Sequence, residues 1–193
     1  MEEIIKLAEV TPDYEKYSFV TLDTETTGLS DHDEVVEVTL IEHDINGETG
    51  AVLHYMCEPL KGYIPEEASK VNGIYFDDVK GYPSFLTGGV REECAEFIGQ
   101  RTVVAHNAPF DLRMMKIKPA DVYDTLSEAR KRWPNKRSRR LEKVCEYIGI
   151  PWDPEQAHRA SYDVEQTIKV FTYFHNPEKL MLTLDRPIQE SFI

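Results

Sequence analysis

The stretch TLDTETTGLS, residues 21–30, ends an apolar run with two acids two positions apart and then breaks into Thr-Thr-Gly. Side chains i and i+2 of an extended strand share a face. The segment SFVTLDTE (18–25) therefore sets the carboxylates of Asp23 and Glu25 side by side where a strand ends. Two like charges that close raise one pKa unless something cationic or a shared proton lies between them. The stretch holds no Lys or Arg. That leaves a base from elsewhere, a proton or a metal ion, or simply a polar strand end running into a turn.

Outward from this strand, predicted over residues 18–23, two further strands are predicted at 35–44 and 50–57. The Ile-Asn-Gly-Glu between them is a hairpin turn signal, so three consecutive antiparallel strands are expected. Residues 58–89, punctuated by Pro and Gly, read as loops with one or two short helices. The pattern then alternates: helix 90–98, strand 102–105, helix 109–116 with a Pro in its first turn, strand 122–125, and helices 127–132 and 141–148. A last helix, 161–174, places Val164, Ile168 and Phe171 on one face. The expected class is α/β, a mixed sheet with helices on both faces.

At 193 residues the chain suits one domain, read as residues 1–175, with residues 176–193 as a tail that packs back or serves in interaction. No apolar run approaches membrane-spanning length and MEEIIKLAEV has no signal-peptide pattern, so a cytoplasmic location is expected, with no membrane partner. Cys57, Cys94 and Cys145 are odd in number and widely spaced, which argues against a disulfide framework or a zinc site. A formal net charge of -13 excludes nucleic-acid binding by bulk electrostatics alone. Eight of the 22 basic residues nevertheless fall within residues 130–143, where Arg137, Arg139 and Arg140 are candidates for gripping phosphates beside an acidic site. The alternative for that run is a solvated surface.

Two more segments carry acids at element boundaries. VVAHNAPFD (103–111) leaves a strand through His106 and Asn107 and puts Asp111 in the first turn of a helix, and HRASYD (158–163) repeats the arrangement with His158 in a loop and Asp163 in a first turn. Either acid alone would merely complement a helix dipole. Taken in order, D-x-E, HNxxFD and HRxxxD resemble the DEDDh, DnaQ-like 3′–5′ exonucleases, which include the proofreading subunits and domains of bacterial replicative polymerases. The resemblance runs from about residue 19 to 174 and takes in IPEEASKVNGI (64–74), DTLSEARKRWP (124–134) and LEKVCEYIGI (141–150).

The resemblance implies an RNase H-like sheet and hydrolysis of nucleic-acid 3′ ends, single-stranded DNA first. It implies two Mg²⁺ or Mn²⁺ ions on Asp23, Glu25, Asp111 and Asp163, with His158 as general base. It places Thr26, Thr27, Gly28 and Leu29 along the pocket for the 3′-terminal nucleotide, with His106, Asn107 and Phe110 flanking it. Asn72 stands where many relatives have a histidine, and Ser161 where an aliphatic residue is common. Two other readings remain: a 3′ exoribonuclease or RNA-end trimming enzyme, and a non-catalytic subunit of a polymerase or DNA-integration complex. The intact set of five residues argues against the latter. A polymerase, a sliding clamp or an integration complex is the implied partner, and QESFI (189–193) loosely matches glutamine-led clamp peptides.

The chemistry is consistent with that residue set. Phosphodiester hydrolysis needs a deprotonated water, in-line geometry and a stabilised leaving oxygen, which two divalent ions can provide. Mg²⁺ and Mn²⁺ favour oxygen ligands, and an imidazole suits proton transfer near neutral pH.

Overall fold

In the computed structural model, which describes residues 13–184, the first strand is longer than its Thr-Thr-Gly ending predicts. Strand β1 runs Phe19–Thr26. Pairing with β2 (Val35–His43) persists through a bulge between Glu25 and Thr26, and the Thr27 N–H still donates to the Glu34 carbonyl at 2.9 Å. Both acids of the opening motif therefore sit on rigid ladder rather than in the turn. Between β2 and β3 (Thr49–Met56) the Asp44 carboxylate accepts the N–H groups of Asn46 and Glu48, each at 2.8 Å, and Gly47 adopts φ 78°. This is the predicted hairpin, tightened by an Asp side chain.

Strands β4 (Thr102–Ala105) and β5 (Val122–Asp124) extend the sheet on the other side of β1, giving the order β3-β2-β1-β4-β5. The first three strands are antiparallel, and β1, β4 and β5 are parallel. Parallel neighbours need crossover connections. Helices supply them: α1 (Glu66–Asn72), α2 (Phe76–Val79) and α3 (Val90–Ile98) before β4, and α4 (Ala108–Met115) before β5. Then come α5 (Thr125–Arg132), α6 (Leu141–Ile148), α7 (Ala160–His175) and α8 (Pro177–Thr183).

The two-residue alternation of the strands divides the core. Val20, Leu22, Val38 and Leu40 face α3 and α4, meeting Cys94, Phe97, Met114 and Met115. Ile41 and Val52 face the opposite way and meet Val164 and Ile168 of α7. Phe171 is fully buried, its ring 4.8 Å from Phe19 and 5.1 Å from Tyr123 between centroids. On its outer side α7 buries Val170 and Phe174 against Ala129 of α5, Val144 and Ile148 of α6 and Leu180 of α8. Packed on two sides, α7 has little freedom to slide, which fixes the position of its first turn.

All three cysteines are free and buried. Among the described residues no helix is long and apolar enough to cross a membrane. Residues 177–183, at the start of the expected tail, are the helix α8 just described. The QESFI stretch lies outside the described residues.

Candidate active site

Strand β1 turns Asp23 and Glu25 toward the α7 side, opposite Thr39 and Glu37 of β2. The third acid is placed by a tied turn. Asn107 adopts a left-handed φ of 82°, and the Asp124 carboxylate accepts the N–H groups of Asn107 at 2.9 Å and Ala108 at 3.4 Å, together with that of Leu126 at 3.1 Å. One carboxylate thus caps α5 and holds the start of α4. Burial pushes the Asp124 carboxyl up, but hydrogen bonds from Ser127, Asn107, Leu126 and Ala108 outweigh it and hold the group below its ordinary value. Asp111, in the first turn of α4, then accepts from Thr24 twice, from the hydroxyl at 2.8 Å and the N–H at 3.1 Å.

The fourth acid, Asp163, lies in the first turn of α7, its own N–H bonded to the Arg159 carbonyl at 3.0 Å. His158 is exposed and also left-handed, φ 62°. One of its ring nitrogens and one carboxylate oxygen from each of Glu25 and Asp163 lie within 4.8 Å of one another. These residues line a single cleft of about 720 Å³ together with Asp23 and Asp111.

The electrostatics of the cluster are unfavourable as they stand. Burial, reinforced by the charges of Asp111, Glu25, Asp163 and Glu37, pushes the Asp23 carboxyl well above its ordinary range. Burial and the charges of Asp163, Glu37 and Asp111 push Glu25 up to about 9, against a lowering contribution from Arg159. Burial raises Asp111 to about 7 despite the Thr24 hydrogen bonds, and raises Asp163 to about 6. Oδ1 of Asp163 is buried with no hydrogen-bond partner among the described residues. A hard divalent cation satisfies each of these conditions: it accepts oxygen donors, supplies the missing partner and neutralises the crowded charge. The donor set fits that ion.

The other predicted pocket residues divide. Thr26 to Leu29, His106, Asn107, Phe110 and Arg140 all line the cleft. The Thr26 hydroxyl, however, donates to the Gly28 carbonyl at 2.6 Å, and the Thr27 hydroxyl accepts the Glu34 N–H at 2.9 Å. The two threonines shape the rim. At Gly28 a Cβ would come within 2.7 Å of the Asp33 carboxylate and push it off its bonds to Thr27 and Ser30. Both His106 nitrogens are engaged, with Thr125 Oγ1 at 2.9 Å and the Arg139 carbonyl at 2.8 Å. Leu29 stands 78% exposed at the rim, an apolar surface open to a ligand.

The basic run is split by the structure, with Arg140 at the cleft. Arg137 and Arg139 are not among the cleft-lining residues. Arg139 turns its guanidinium back onto the carbonyls of Trp133, at 2.7 Å, and Pro134. Pro65, Glu67, Ala68, Val71 and Asn72, from α1 and its N-cap, form a cleft wall that residue types alone did not reveal. The 64–74 segment carried the signal. The Asn72 amide donates to the Thr26 carbonyl at 3.3 Å, pinning this wall to the end of β1.

A family model described as Exonuclease matches residues 20–171. The chain belongs to the exonuclease family. It is 29% identical over 167 residues to DNA polymerase III subunit epsilon of Rickettsia prowazekii (strain Madrid E), covering 79% of this chain and 71% of that one. It is 27% identical over 207 residues to ribonuclease T of Shewanella oneidensis, covering 94% and 92%. A solved exonuclease I structure superposes with a TM-score of 0.69 at 19% identity, over 86% of this chain and 43% of that one. The exonuclease described here thus spans less than half the length of that structure. As a family member it is a hydrolase of the divalent-metal-dependent type, and its mixed sheet is the RNase H-like one.

Proposed function

We propose that this exonuclease removes nucleotides from the 3′ end of single-stranded or frayed DNA. Asp23, Glu25, Asp111 and Asp163 hold two Mg²⁺ or Mn²⁺ ions, and His158 is the general base. One observation carries the reading. Four carboxylates from three separate segments line one cleft, and the buried Oδ1 of Asp163 lacks a partner there.

Each residue then has a physical task. Bound ions lower the pKa of the attacking water and stabilise the departing 3′ oxygen. Asp111, held by the Thr24 N–H and hydroxyl, presents an oxygen that needs no reorganisation. His158, on an exposed turn within reach of Glu25 and Asp163, takes the proton from the water and can pass it to solvent. Leu29, Val71 and Phe110 offer apolar surface to a terminal base, and Arg140 meets a phosphate of the strand that follows.

Similarity to polymerase III epsilon subunits favours DNA and suggests a polymerase partner. The match to ribonuclease T over 94% of the chain supports a second reading, a 3′ exoribonuclease. Single-stranded DNA and RNA, labelled at either end, distinguish them in Mg²⁺ and in EDTA. The expected result is a ladder from 5′-labelled DNA and immediate mononucleotide release from 3′-labelled DNA, both abolished by EDTA. Faster digestion of RNA would select the second reading, and immediate mononucleotide release from 5′-labelled strands, without a ladder, would refute the polarity.

A further inference from the structure

Beside Glu25 lies a fifth acid that the chemistry above leaves unused. Glu37 is fully buried and sits directly across the β1–β2 ladder from Glu25, so both carboxylates share one face. Like charges opposed in this way destabilise a sheet. Their compensation comes from the turn that carries His158. Arg159 Nη2 donates to Glu37 Oε1 at 3.1 Å, and the N–H of Ala160, the first residue of α7, donates to Oε2 at 3.4 Å. On the far side His54 Nε2 stands 3.8 Å from Oε1, with Nδ1 2.8 Å from the Thr39 hydroxyl.

Arg159 is the residue after His158, and its carbonyl accepts the Asp163 N–H at 3.0 Å. Its side chain is 46% exposed, so the Glu37 contact rather than packing orients it. His158 keeps φ 62°, a region that non-glycine residues occupy only when the surroundings hold them. The backbone bonds here stay within the turn and α7, the Arg159 N–H on the Gln156 carbonyl at 3.3 Å and the Asp163 N–H on the Arg159 carbonyl, apart from the Ala160 N–H on Glu37. Glu37 therefore ties this turn to the rigid sheet, through the Arg159 side chain at 3.1 Å and, more loosely, the Ala160 N–H at 3.4 Å.

We infer that Glu37 and Arg159 are a positioning pair: they fix the His158 turn to β2 so that the imidazole stays beside Glu25 and Asp163. The inference rests on the reading of His158 as general base. Neither residue of the pair need touch the substrate. Arg159 also lies near enough to Glu25 to act on the acids directly, so the test must separate that route from one through His158.

A double-mutant cycle does so. In Arg159→Met, kcat on a single-stranded oligonucleotide should fall roughly tenfold to a hundredfold, as expected for a small displacement of a catalytic group, with KM within about twofold of wild type. Glu37→Gln, which keeps the shape and loses the charge, should fall in the same direction. In the His158→Ala background Arg159→Met should cause no further loss, because a tether has nothing left to position. Arg159→Lys keeps the charge without the planar fork and should restore part of kcat; it replaces Arg159→Met in the cycle if the latter does not fold. Equal losses in both backgrounds would overturn the inference and leave the general-base reading intact. An unchanged rate in His158→Ala alone would overturn the general-base reading, and the inference with it.

Discussion

Strands β1 and β2 carry buried acids in two settings, and the difference separates structure from function. At one end Glu42, 1% exposed, is saturated: its carboxylate receives the Arg101 guanidinium, the Ala51 N–H at 2.8 Å and the Asp13 N–H at 3.3 Å. Arg101 is itself packed, its guanidinium 4.5 Å from the centre of the Tyr14 ring and 5.0 Å from that of Phe97. At the other end Glu25 and Asp163, each 9% exposed, crowd together with Asp23 and Asp111, and one oxygen has no partner. The chain brings its own cation to Glu42. At the cleft, on the proposed reading, an ion from solution takes that role, and without it the buried acids repel one another.

The largest expected effect is at the unfilled end. Asp163→Ala should lower turnover by about three orders of magnitude, the several kcal/mol of transition-state stabilisation that a correctly held divalent ion provides. Single-turnover rates in saturating Mg²⁺ measure this, and wild-type turnover in the variant would remove Asp163 from the ligand set. The paired end should behave in the opposite way. Arg101→Met strands a buried carboxylate and should cost about 3–5 kcal/mol in urea unfolding while leaving kcat unchanged. A stability loss below 1 kcal/mol would erase the contrast.

A smaller effect is the pH dependence of the metal-free protein. In the folded protein burial pushes the Glu25 carboxyl up to about 9 and that of Asp111 up to about 7, from ordinary carboxyl values near 4. The folded state then binds more protons than the unfolded one, so stability falls as pH rises through that window. Buried His43, pushed down to about 4 by burial, acts in the reverse sense: its contribution is present above its ordinary 6.5 and lost as pH falls below it. Above pH 6.5 the acids dominate. Melting in EDTA should therefore drop steadily from pH 6.5 to 9, and Glu25→Gln should flatten the drop; a rise with pH would contradict the assigned shifts.

The smallest effect concerns Arg140, the cleft-lining member of the basic run. Arg140→Gln should reduce the log–log salt slope of binding to a longer single strand by about 0.7, one phosphate contact. Arg137→Gln, away from the cleft, should leave it unchanged. Equal slopes for both variants would return Arg140 to the solvated surface.

Much of this contrast was legible in the sequence, and the illegible part has a physical cause. The D-x-E, HNxxFD and HRxxxD spacings place acids at strand and helix ends, and local geometry is enough to do that. Strand β1 outran its predicted end because a bulge keeps Thr26 paired with Val35, which Thr-Thr-Gly does not announce. Helix α5 begins at Thr125, before the predicted residue 127, because Asp124 caps it. Nothing in the sequence of β2 announces that Glu37 is fully buried, because its surroundings come from distant parts of the chain, the start of α7 among them. The sequence placed Arg139 in a basic run without revealing that its side chain turns back onto Trp133 and Pro134.

The claim that the cleft acids await an external cation is tested most directly by thermal unfolding with and without Mn²⁺ at pH 7.5, for wild type and Asp163→Asn. Wild type should melt low in EDTA and rise on adding Mn²⁺, as any ligand selective for the folded state requires. Asp163→Asn, relieved of one buried charge, should melt at or above wild type in EDTA and gain little from Mn²⁺. A wild-type protein indifferent to Mn²⁺, or a variant that gains as much as wild type, would contradict the account.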